Sequence, residues 1–155
     1  MHLSIRALFV WVMLSFSLSL HAQKPSPDSL KETLSLKEGV ERADALQQLA
    51  RALKYEDPSR AKYYADKALE VLDTFPDKVL KAKALGRLSR INQLTGNYDT
   101  ALIYARRFLD SSSVVGDTFL IANAHNYMGI VQRYLGNHTK AVEHLKKYID
   151  LTGKL

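Results

Sequence analysis

Apolar and polar positions along this chain fall into a pattern that repeats itself about every forty residues. The clearest copy is Asn97 to Leu109, NYDTALIYARRFL. Forty residues on stands Asn137 to Ile149, NHTKAVEHLKKYI, and forty residues back a looser copy, Asp57 to Leu69, DPSRAKYYADKAL. In each, an alanine is followed seven residues later by an apolar or small residue and then an aliphatic one: Ala61, Ala68, Leu69; Ala101, Phe108, Leu109; Ala141, Tyr148, Ile149. Ahead of the first copy, Ala45, Leu46, Leu49, Ala50 and Leu53 also recur at helical spacing, and no stretch alternates as a strand would. A period of this size in a helix-rich chain predicts an all-α array of stacked helical hairpins.

Local signals divide the array. Residues 23–39 are a linker with a short helix from Leu30 to about Lys37, interrupted by Gly39. The first unit, about residues 40–77, pairs a helix from Val40 to about Tyr55 with one opening at Asp57-Pro58, where the aspartate caps and proline occupies the first helical position without forfeiting a hydrogen bond. Asp77 caps the next helix, which runs to about Thr95. The second unit, about 78–117, turns at Gly96-Asn97, and its returning helix is expected to end near Ser112, leaving Ser113–Asp117 as a connection. The third, about 118–151, turns at Gly136-Asn137. Glycine frees the backbone after each first helix, and asparagine is expected to cap the helix that follows.

The hairpins close on small residues. Ala45, Ala84 and Ala124, with Ala50, Ser89 and Gly129, face Ala61, Ala101 and Ala141. Leu49, Leu88 and Met128 fill the layer between, and Phe108 and Tyr148 are expected in the core.

Composition then changes the picture at the amino terminus. Ala7 to Leu20 is an unbroken run of apolar residues and serines. As a helix it would span about 21 Å, short of the roughly 30 Å hydrocarbon layer. It is expected to be a signal-peptide core, residues 1–22, cut after His21-Ala22, and the mature chain is expected to be exported, in the periplasm of a bacterium; an uncleaved membrane anchor formed by residues 7–20 is the alternative. No cysteine is present, which excludes disulfides, thiolate metal sites and lipid attachment at a cysteine. The whole chain carries a net charge of +6, and loss of Arg6 with the leader leaves 21 − 16 = +5. A mild basic excess favours acidic partners, while nucleic acid is disfavoured for want of an aromatic-and-basic recognition motif.

Signals for chemistry are weak. His138 and His144 are six apart and do not share a helix face, His125 sits at a core position, and Ser111–Ser113 lacks a nucleophile-elbow context. No catalytic residue, metal site or cofactor is expected, and the chain is taken to be a binding scaffold and not an enzyme.

The residues resemble tetratricopeptide repeats. Met128-Gly129, Gly136-Asn137-His138 and Ala141 match the family pattern in the third unit; Leu88-Ser89, Gly96-Asn97-Tyr98 and Ala101 match it in the second; Leu49-Ala50 and Ala61 match it in the first, which is one residue shorter and lacks the glycine turn. The family tryptophan is replaced by Leu46, Leu85 and His125. The resemblance implies a right-handed superhelix of about three repeats whose first helices line a concave, peptide-binding groove. Its positions carry over to Asp44, Gln47, Arg51 and Lys54; Lys83, Arg87 and Arg90; and Asn123, Asn126, Tyr127 and Arg133, six cations against one acid. Such a face suits an acidic peptide or a terminal carboxylate. The amino-terminal stretch is also similar to exported repeat regions of Bacteroidetes signalling proteins, which implies a sensory role ahead of a histidine kinase or DNA-binding output as an alternative. On the last helix, Val142, Leu145, Tyr148 and Ile149 form an apolar set. It is expected to be covered by a further hairpin or, in a weaker alternative, by self-association.

Overall fold

The computed structural model describes residues 27–153; the apolar run, the expected cleavage point and residues 23–26 of the linker lie outside the described residues. Seven helices make up the described part: α1 (Pro27–Leu34), α2 (Gly39–Leu53), α3 (Pro58–Thr74), α4 (Lys78–Leu94), α5 (Tyr98–Val115), α6 (Thr118–Tyr134) and α7 (His138–Thr152). They form an all-α array of three hairpins, α2/α3, α4/α5 and α6/α7, with α1 laid on α2. Each second helix packs on the first helix of the next hairpin, and the first helices α2, α4 and α6 also contact one another in sequence.

Caps and turns set the boundaries. Asp57 accepts a hydrogen bond from the backbone N–H of Arg60 at 3.0 Å, Asp77 from Leu80 at 2.8 Å and Asp117 from Leu120 at 3.0 Å. The two Gly-Asn turns work differently from the expected side-chain caps. Gly96 and Gly136 adopt φ of 77° and 76°, a region costly for residues with a Cβ. The N–H of Gly96 then reaches Gln93 O at 3.3 Å and that of Asn97 reaches Asn92 O at 2.8 Å; Gly136 and Asn137 repeat this with Arg133 and Gln132 at 3.1 and 2.9 Å. This closes the end of the first helix through the backbone. The asparagine side chains point back, Asn97 Nδ2 donating to Thr95 Oγ1 and Asn137 Nδ2 to Gln132 Oε1, so neither caps the second helix.

Two other boundaries move. Helix α1 begins three residues earlier than expected, because Pro27 can occupy an initial helical position. Helix α5 continues through Ser113–Val115 to the left-handed Gly116. Ser113 is accommodated inside it by donating its hydroxyl to Leu109 O at 2.9 Å, and the connection shrinks to Gly116-Asp117.

The core follows the small-residue pattern. Ala45, Ala50, Ala61, Ala84, Ala101, Ala124 and Ala141 are all buried, as are Leu49, Leu88 and Met128. Ser89, standing where the third unit has Gly129, is buried and donates its hydroxyl to Ala101 O at 2.9 Å, so the polar atom is satisfied across the hairpin. At Gly129 the approach is closer: a Cβ there would lie 2.8 Å from Leu145 Cγ. Leu145 therefore packs into its own hairpin, leaving Val142 and Ile149 as the outward members of the apolar set, at 51% and 64% exposure. Phe108 is buried, whereas Tyr148 is half-buried because no further helix covers α7 among the described residues.

Candidate functional site

The three first helices stand side by side, so residues at helical spacing on each contribute one stripe to a shared surface. Arg51 comes from α2 and Lys54 from its C-cap. Lys83, Arg87 and Arg90 come from α4, at intervals of four and three. Leu120, Asn123 and Tyr127 come from α6, with Phe119 at its start. Together with Gly86 and Phe108 they line a cleft of about 400 Å³. Gly86 makes the floor possible: a Cβ there would lie 2.8 Å from Cε1 of Phe108, so the ring from α5 rises directly beneath the glycine. The Phe108 ring continues to Tyr127, centroid to centroid 5.9 Å.

The cleft's cations form no ion pair among the described residues. Among the described residues, no carboxylate lies within 4.0 Å of Arg51, Lys54, Lys83, Arg87 or Arg90. Asp44, the acid of the groove positions, is held by Gln48 Nε2 at 2.7 Å. Arg87 is partly enclosed; a nitrogen of its guanidinium donates to Gln47 Oε1 at 3.3 Å, while its Nε is buried with no partner. Burial, and then the like charge of Arg51, hold the Arg87 pKa below the ordinary arginine value. Burial pushes the Tyr127 hydroxyl up, opposed by Arg90 and Arg87. At the rim, hydrogen bonding toward Arg90 and then the charge of Lys54 pull Tyr55 down, with Lys54 Nζ 4.8 Å from its ring centroid.

Most of the expected groove residues converge here, but not all. Gln47 is buried at 1% exposure and donates its Nε2 to Leu80 O at 2.7 Å, so it ties the first hairpin to the second and does not present itself to a ligand. Asn126 is rotated off the stripe formed by Leu120, Asn123 and Tyr127, and is not part of the lining. Arg133, in the last turn of α6, lies against the Tyr134 ring at 4.8 Å from its centroid, and Tyr134 in turn stacks on Tyr98 at 4.8 Å. Conversely, Gly86, Phe119 and Leu120 belong to the lining and were not among the expected positions. An aromatic residue two positions after the Asp117 cap was the available signal for Phe119, which is 60% exposed.

A histidine pair lies elsewhere. His125 Nδ1 and His144 Nδ1 are 3.0 Å apart across the third hairpin. The contact requires one nitrogen to donate and the other to accept. Burial lowers both pKa values; His144 and then Lys147 add to the lowering of His125, and Lys147 and Arg106 to that of His144, with Glu143 opposing. Among the described residues no three or more His, Asp or Glu side chains are grouped to hold a metal ion, and no helix is long and apolar enough to cross a membrane.

Residues 80–153, covering α4 to α7, match the tetratricopeptide repeat family. The first hairpin, with its Asp57-Pro58 opening in place of a glycine turn, lies outside the match. The fold is shared with solved structures of the apo form of RapI (TM-score 0.73, 19% identity over 83% of this chain) and of a Rap protein complexed with competence and sporulation factor (TM-score 0.76, 18% identity over 83%). This chain spans 37% of the length of each. No curated protein matches the sequence.

Proposed function

We propose that this protein is an exported, non-catalytic repeat scaffold that takes an acidic peptide segment into the cleft formed by α2, α4 and α6. The observation that carries the proposal is the unpaired charge: Arg51, Lys54, Lys83, Arg87 and Arg90 share one cleft, none has a carboxylate within 4.0 Å among the described residues, and the enclosed Arg87 keeps an unpartnered Nε. A buried donor without an acceptor is costly. A ligand carboxylate would supply the acceptor and offset the mutual repulsion of the arginines. One of the structures sharing this fold holds competence and sporulation factor, which supports the use of such an array as a receptor for a partner. Export is supported by the run Ala7–Leu20 followed by His21-Ala22; the mature amino terminus is then Gln23, and recovery of the protein with Met1 intact would contradict cleavage.

The test is an array of short peptides of graded charge probed with the purified protein. Retention that rises with the number of acidic residues and falls as salt is raised is the expected result. Retention indifferent to peptide charge would overturn the assignment.

A further inference from the structure

The cleft is chemically lopsided across its width. Its α2 and α4 sides carry the cations, whereas its α6 side is built from Phe119, Leu120 and Tyr127 with Asn123 as a polar exception, and Phe108 rises between them under Gly86. Phe119 is 60% exposed at the edge of this wall. Other large apolar residues of the chain are as exposed; what sets Phe119 apart is that it lines the cleft together with Leu120, Phe108 and Tyr127, so that an apolar ligand group would bury it. Charge complementarity fixes one half of the occupant and the apolar wall fixes the other. Resting on the peptide-binding reading above, we infer that the ligand is an extended segment in which an acidic residue is followed or preceded, two to three positions away, by a large apolar one. The acid meets Arg87 with Arg51 or Arg90, and the apolar side chain lies against Phe119 and Leu120. The spacing follows from neighbouring helix axes about 8–10 Å apart and about 3.3 Å per extended residue. Asn123, the polar residue of the α6 side, has an amide that can bond the intervening peptide backbone.

This specificity separates the site from a general anion trap, since a polyphosphate or an oligonucleotide offers charge without an aliphatic side chain. The experiment uses the purified protein and a hexapeptide array in which one position is fixed as glutamate and the others are randomised, with inorganic polyphosphate as the comparison probe. Leucine, isoleucine, methionine or phenylalanine is expected to be enriched two to three positions from the glutamate, with affinity about tenfold above that of the serine-substituted peptide. Phe119→Ser should erase that preference and leave the salt-sensitive, charge-dependent binding in place; because Phe119 is largely exposed, the variant is expected to fold, which its helical signal checks. If the serine peptides bind as tightly as the apolar ones, or Phe119→Ser changes nothing, the inference fails while peptide binding survives. Polyphosphate that competes as well as the best peptide would also overturn it. Binding of no peptide at all would remove the functional proposal itself.

Discussion

The outer helix α3 carries three cations and the cleft five, and the two regions treat them in opposite ways. On α3, Arg60 lies 3.8 Å from Asp57, Lys62 2.7 Å from Asp66 and Lys67 2.6 Å from Glu70, each at a spacing of three or four residues. In the cleft, Arg51, Lys54, Lys83, Arg87 and Arg90 come from two helices and meet no acid within that range among the described residues. Local pairing along one helix is easily supplied by sequence, so the contrast is one of placement and not of composition. Exposed pairs like those on α3 contribute little to stability. Gathered cations whose hydrogen bonds go to neutral groups such as Gln47 and Gln93 repel one another, and that cost is consistent with a surface kept for a ligand.

Changes at the two regions should therefore have different signatures. The largest effect is expected at the cleft floor. Gly86→Ala puts a Cβ about 2.8 Å from Phe108 Cε1, which should cost about 1–3 kcal/mol of stability by overpacking and weaken peptide binding as the ring shifts; a lower Tm with unchanged binding would show that the floor does not shape the site. Arg87→Met comes next. It removes a half-buried, incompletely satisfied charge and also the bond to Gln47, so stability should stay within about 1 kcal/mol of the parent while affinity for an acidic peptide drops about tenfold. A loss of several kcal/mol in chemical denaturation would make Arg87 a structural residue. Lys62→Ala on α3 should change stability by about 0–1 kcal/mol and binding not at all.

Acid provides a further separation. Guanidinium and ammonium groups do not titrate between pH 7 and 5, so a stability change in that range is assigned to the third hairpin. His125 and His144 both have folded pKa values below the ordinary 6.5. The unfolded chain then binds protons more readily, and the stabilisation is fully present above pH 6.5 and declines as the pH falls through the lowered folded values. Two protonated rings would also bring two N–H donors face to face across 3.0 Å. The Tm should fall from pH 7 to 5, and His144→Gln should flatten that slope. A parent protein with no slope would contradict the pair's role.

Much of this architecture was legible in the chain because it is written locally. Asp57-Pro58, Asp77 and the two Gly-Asn turns mark helix ends within a few residues, and the alanine spacing marks the hairpin seams. The end of α5 was harder to read, since serines suggest a loop until Ser113 is seen bonding back to Leu109 and Gly116 is seen to provide the left-handed stop. The cationic half of the cleft lay within single helices and could be listed in advance. Its apolar half could not, because the meeting of Phe119 with Gly86 and Phe108 depends on how separate hairpins stack, and no single-helix period encodes that. His125 and His144 were missed as a pair for the same reason: nineteen residues separate them in sequence and a hairpin brings them together. Arg133 shows the converse, a cation at an expected spacing that is instead held against Tyr134.

One measurement bears most directly on the contrast between α3 and the cleft. An acidic hexapeptide is titrated calorimetrically into the parent protein, into Arg51→Glu with Arg90→Glu in the cleft, and into Lys62→Glu with Lys67→Glu on α3, with helicity checked in each. Two lost charge-assisted contacts predict a reduction in affinity of about 100-fold or more for the cleft variant and little change for the α3 variant, although both alter the net charge equally. Equal losses in the two variants would mean that the peptide senses only the overall charge, and the cleft would no longer be the site.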